Sequence, residues 1–144
     1  MQPFPHHYAV LANAATDGEV ELASAGLASL ASAAPVEFDG PGDRWSPETL
    51  LVAAIADCFV LTFRAIARAS KLEWTRLACE VHGTLDRAAG VTRFTGFAVR
   101  ARLALPAGGN EATGKRLLEK AEKGCLVTNS LAAPVALATE VSVG

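Results

Sequence analysis

From Leu50 to Phe63 the chain reads Leu50-Leu51-Val52-Ala53-Ala54-Ile55-Ala56-Asp57-Cys58-Phe59-Val60-Leu61-Thr62-Phe63, a run apolar all round a helix apart from Asp57. A helix with no polar face needs neighbours on every side, so the fold has to be built around this segment. The run is too short for a bilayer span, carries Asp57 and ends at Arg64, and it reads as a buried helix with no membrane partner. Its start is well marked. Ser46 is a suitable N-cap, Pro47 fits the first helical position, and Glu48 faces the positive end of the helix dipole. Arg64, Arg68 and Lys71 place favoured charge at the other end, so the helix is expected to reach about Lys71.

The flanking segments alternate. Arg76 to Asp86 sets Leu77, Cys79, Val81 and Leu85 on one face and Arg76, Glu80, His82, Thr84 and Asp86 on the other, which predicts a half-buried strand. Phe97, Val99, Ala101, Leu103 and Leu105 repeat the pattern, with Ala89-Gly90 as the intervening turn. Glu111 to Lys123 is amphipathic, with Leu117, Leu118 and Ala121 inward and Gly124 as its stop. A short helical turn follows Cys125, and Val135 to Val143 alternates as a final strand. Before the apolar helix, Asp17-Gly18 predicts a hairpin turn between Tyr8–Asn13 and Glu19–Ser24, and Asp39 to Asp43 is a loop. Strands, helix, two strands, helix and strand make an α+β chain.

At 144 residues and 51% hydrophobic content, one domain spanning 1–144 with one core is expected. Net charge is −2 and no basic stripe is present, which argues against nucleic acid. No basic n-region precedes an apolar stretch at the N-terminus, so a cytoplasmic protein is expected. Three widely spaced cysteines with no CxxC pair fit a reducing compartment and one or two functional thiols. His6, His7 and His82 have no metal-ligand spacing, and neither a metal nor an organic cofactor is expected.

A cysteine in an apolar helix is more often a small hydrophobe than a nucleophile, and Cys79, phased into the core with Leu77 and Val81, keeps that reading. Cys125 differs, because it follows a helix-ending glycine and opens a turn where a side chain can move. Ser46-Pro47-Glu48-Thr49-Leu50-Leu51, Ala56-Asp57-Cys58-Phe59 and Lys123-Gly124-Cys125-Leu126-Val127 together resemble the signature of the osmotically inducible protein C and organic hydroperoxide resistance (OsmC/Ohr) family. The element order resembles that family over nearly the whole chain, and more loosely over the first 35 residues.

The resemblance implies an OsmC-like fold, with antiparallel sheets around a central apolar helix, in an intertwined homodimer. It implies a thiol-dependent peroxidase acting on organic hydroperoxides in oxidative stress. Cys58 matches the peroxidatic cysteine, Cys125 the resolving one that closes a disulfide, and Glu48 the active-site glutamate. An external dithiol, a lipoylated protein in one branch of the family, would return the electrons.

Helix geometry adds a constraint of its own. Ten residues separate Glu48 from Cys58, which is about 15 Å along a helix axis, so Glu48 cannot touch the Cys58 of its own chain. If the two share a site, antiparallel copies of the helix must pass about a two-fold axis, each lending its Glu48 to the other's Cys58.

The family also holds an arginine against that glutamate, and here the pattern departs. The first 43 residues contain six acids and no Lys or Arg. Arg44 is the only basic residue before the helix, and it reads either as the substitute cation for Cys58 or as an exposed loop residue. Asp57 stands where the family has a small residue, and Leu126 where it often has proline. The rival to a peroxidase is a non-catalytic binding module, holding an apolar ligand at the dimer interface.

Overall fold

The computed structural model describes all residues from Met1 to Gly144. It contains six strands and three α-helices: β1 (Leu11–Asn13), β2 (Val20–Ala23), β3 (Leu30–Ser32), α1 (Pro47–Ala69), β4 (Arg76–Ala88), β5 (Val91–Leu105), α2 (Glu111–Gly124), α3 (Leu126–Asn129) and β6 (Val135–Val143). The chain divides into two compact units, Met1–Leu50 and Leu51–Gly144.

In the first unit β1, β2 and β3 form an antiparallel sheet, with Leu11 opposite Ala23 and Leu22 opposite Leu30. The strands are short, and no hydrophobic side chain before Leu51 is fully buried. Gly18 takes a φ of +88° in the turn before β2, a conformation that glycine adopts without strain.

The second unit carries the core. β4 and β5 form a long antiparallel hairpin whose turn is Ala89-Gly90, both at positive φ as a tight hairpin of this hand requires. Phe97, Val99, Ala101, Leu103 and Leu105 of β5 are all buried, as their alternation predicts. Leu85 is the exception to the β4 pattern. The pairing register shifts between Thr84 and Leu85, and Leu85 is left 37% exposed. A bulge of this kind breaks the two-residue alternation and re-aims the side chains beyond it.

β6 pairs with β5 in parallel, Phe97 opposite Val135 and Leu105 opposite Val143. The expectation of antiparallel sheets therefore holds for β1–β3 and for β4–β5, and fails at β6. The cause is the α2–α3 crossover, which brings the chain back in the same direction as the strand it left. α2 begins at Asn110, whose Oδ1 accepts from the Thr113 N–H at 2.9 Å. It lies close to the sheet at Gly114, where an added Cβ would come within 3.1 Å of Leu103 and 3.2 Å of Val141.

α1 begins as predicted. The Ser46 hydroxyl accepts from the Thr49 N–H at 3.1 Å, and the Thr49 hydroxyl accepts from the Ser46 N–H at 2.8 Å. These reciprocal bonds satisfy backbone donors that the first turn leaves free. At 23 residues the helix is long and apolar enough to cross a membrane by length and composition alone. Its place in this fold is the core: Ile55, Phe59, Phe63 and Ala67 form a stripe buried in the main hydrophobic cluster. Only that stripe is covered. Ala54, Asp57, Leu61, Arg64 and Ala65 are exposed on the rest of the helix.

Candidate thiol site

Cys58 lies in the middle of α1, half-buried, one residue before the buried Phe59. Its Sγ has one side-chain hydrogen-bonding partner, the Thr62 hydroxyl at 3.9 Å, one turn further along the helix. Thr62 in turn approaches the end of α2. A Cβ placed on Gly124 would stand 3.4 Å from the Thr62 methyl, which is ordinary van der Waals contact. Thr62 thus lies between Cys58 and the Gly124-Cys125 turn.

Cys125 is 1% exposed and caps the junction of α2 and α3. Its carbonyl accepts from the Asn129 N–H at 3.0 Å and the Thr128 hydroxyl at 3.1 Å, so the backbone of this turn is held from both sides. Cys79 of β4 also faces the core. Burial first, and the nearby Cys125 second, push its thiol up from the ordinary value of 9.0 to about 11. Cys79 is therefore a protonated, weakly nucleophilic thiol at neutral pH. All three cysteines are free. The proximity of Cys79 to Cys125 did not figure in the sequence reading, although the inward phase of Cys79 was its available signal.

In the first unit, Glu48 stands in the opening turn of α1 and lines an apolar groove of about 490 Å³ with Leu22, Phe38, Pro47 and Leu50. Its Oε2 is buried and has no hydrogen-bonding partner. Arg44 does not supply one. Its guanidinium pairs with Glu19 and, at 3.3 Å, with Asp43, while its Nη1 donates to the Asp43 carbonyl at 3.0 Å. Of the two readings open for Arg44, a substitute cation for Cys58 travelling with Glu48 or an exposed loop residue, the first has no ion pair or hydrogen bond to Glu48 within the chain. Arg44 pairs with two acids, Glu19 and Asp43, and it is the only Lys or Arg before α1.

Chemically, the second unit offers one thiol with a hydroxyl at its sulfur, a buried second thiol in the turn after α2, and a third that burial keeps protonated. The first unit offers an uncompensated carboxylate at the wall of an apolar groove.

A family model described as OsmC-like protein matches residues 40–140 of the chain. An uncharacterized protein of Bacillus subtilis, YmaD, is 28% identical over 142 residues, covering 96% of this chain and 95% of the relative. Among solved structures, an OsmC-like protein of unknown function from Vibrio cholerae superposes with a TM-score of 0.85 at 16% identity, covering 96% of this chain and 100% of that one. An organic hydroperoxide resistance protein from Legionella pneumophila superposes with a TM-score of 0.76 at 26% identity, covering 97% and 99%.

Proposed function

Because the chain belongs to the OsmC-like protein family, we propose that it is a thiol-dependent peroxidase that reduces organic hydroperoxides through Cys58 and Cys125. The observation that carries this reading is that Thr62, whose hydroxyl lies 3.9 Å from the Cys58 sulfur, also approaches Gly124, the residue before Cys125. The Legionella relative, named for organic hydroperoxide resistance, supports the substrate class. So does the apolar character of α1 around Cys58, which suits an alkyl group better than water-like hydrogen peroxide.

The steps balance without a metal or organic cofactor. The Cys58 thiolate attacks the terminal peroxide oxygen, the O–O bond breaks, and the alkoxide leaves as an alcohol after taking a proton; Cys58 is left as a sulfenic acid. The Cys125 thiol then attacks the Cys58 sulfur, forming a disulfide and expelling water. Two exchange steps with an external dithiol restore both thiols and leave that dithiol oxidised. A lipoylated protein is one such reductant, and a cytoplasmic location suits this thiol cycle.

A homodimer completes the proposal. α1 leaves Leu61 52% exposed together with Ala54 and Ala65, and a second copy of the helix would cover them. In the antiparallel pairing Glu48 meets the partner's Cys58. The groove beside Glu48 favours a second reading, in which the protein binds an apolar ligand there without chemistry.

Thiol titration and peptide mapping after one equivalent of tert-butyl hydroperoxide separate the two. The expected result is loss of two thiols, a Cys58–Cys125 bridge and a free Cys79. Retention of all three thiols would favour the binding module, and a Cys79–Cys125 bridge would reassign the resolving pair.

A further inference from the structure

A thiol in the interior of a helix receives no help from the helix dipole. Cys58 is in that position, with Asp57 beside it in sequence. The usual remedy is a cation at the sulfur. On α1 the nearest basic residue after Cys58 is Arg64, about 120° away round the helix, and it is exposed. Arg44 is engaged with Glu19 and Asp43. At the end of α2 the charged neighbours are Glu122, half-buried, and Lys123, exposed, and the thiols Cys125 and Cys79 face the core. Thr62 is different. It lies about 40° round the helix from Cys58, on the same face, with its hydroxyl 3.9 Å from the sulfur.

We propose that Thr62 is a positioning residue that holds the Cys58 thiolate by donating its hydroxyl hydrogen to the sulfur, in the role a cation would otherwise fill. This rests on Cys58 being the reacting thiol. In the thiol form either atom can donate. Once Cys58 loses its proton the sulfur only accepts, so the hydroxyl turns its hydrogen toward it and the contact tightens, as hydrogen bonds to charged groups do. The methyl of the same side chain touches the Gly124 position, so the rotamer that serves Cys58 also sets how closely the Cys125 turn approaches. A β-branched residue suits both tasks, because its χ1 is restricted in a helix and one rotation moves the hydroxyl and methyl together.

The test is the pH profile of Cys58 alkylation by iodoacetamide, followed peptide by peptide in the intact protein, which reads the thiolate without any peroxide. Thr62→Val keeps the shape and removes the hydroxyl. It should move the alkylation profile to higher pH and slow alkylation at pH 7 about tenfold. Thr62→Ala should shift the profile in the same direction, which guards against a packing effect peculiar to valine, and Thr62→Ser should stay within about twofold of the parent. An unchanged profile in Thr62→Val and Thr62→Ala would overturn the proposal, as would a Thr62→Ser shift equal to theirs. If the profiles shift as expected but the parent protein consumes no hydroperoxide, the role of Thr62 stands and the peroxidase reading falls.

Discussion

Cys79 and Glu48 show how two buried polar groups in one small chain carry different consequences. The Cys79 thiol is raised from 9.0 to about 11, mainly by burial. The folded state therefore keeps its proton more tightly than the unfolded state does. Its contribution to stability is complete below pH 9 and is lost as pH rises through 11. Allowing for partial exposure, the loss should be about 1–2 kcal/mol. Urea denaturation of the parent and of Cys79→Ala at pH 8 and pH 11.5 should show the parent losing that much more than the variant. Equal losses would mean that Cys79 is not desolvated. Glu48 is the opposite case, a carboxylate oxygen with no partner inside the chain. With Arg44 held by Glu19, the charge of Glu48 can only oppose a thiolate that it approaches in the dimer. Glu48→Gln is expected to speed Cys58 alkylation about twofold to fivefold, and Arg44→Ala to leave it within about twofold. Slower alkylation in both variants would instead mean that Arg44 turns to Glu48 in the assembled protein and acts as the cation.

At the scale of elements, α1 both fills the core and offers an uncovered face, and the register of a two-fold pairing can be worked out from it. The alignment that sets Glu48 against the partner's Cys58 also carries Leu61 to the start of the partner's α1, which Trp45 precedes by two residues. Both are large, apolar and about half exposed in the single chain, at 52% and 50%. Leu61→Glu and Trp45→Glu should each weaken self-association at least about tenfold in sedimentation experiments, since each would bury a charge in the pairing. No effect from either variant would exclude this register. Within the chain, Gly83 is the tightest point under α1. An added Cβ would come within 2.8 Å of Phe94 and 3.0 Å of both Phe97 and Val52. Gly83→Ala should therefore cost about 1–3 kcal/mol in thermal or denaturant unfolding. These elements were largely legible in the sequence because their signals are local. Ser46-Pro47 starts α1, Ala89-Gly90 turns the hairpin, and five alternating residues of β5 reach the core. What escaped the sequence depends on distant partners: the bulge at Thr84, the parallel seating of β6, the capture of Arg44 by Glu19 and the approach of Cys79 to Cys125. The thiols of the site were legible as residue types, but the part of Thr62 was not, because a lone threonine in an apolar run carries no signal until its neighbours are placed.

For the whole molecule, the distribution of burial argues for assembly. Every fully buried hydrophobic side chain lies after Leu51, while Leu11, Leu27, Phe38 and Trp45 remain at least half exposed. Three strands of three or four residues with no core of their own are marginal in water. Residues 1–50 should therefore not persist as a separately folded piece, and unfolding of the chain should be a single transition in which both compact units are lost together. In the proposed homodimer a second copy of the chain would cover the apolar surface left open on them and on α1. The interface should then exceed about 2,000 Å², in the range of obligate dimers. An obligate dimer couples folding to association, so its melting temperature should rise with protein concentration, by several degrees over a hundredfold range. Light scattering at low micromolar concentration should give twice the chain mass of 14.9 kDa. A folded monomer there, with a melting temperature independent of concentration, would remove the shared site and leave Glu48 about 15 Å from the only Cys58 it could serve.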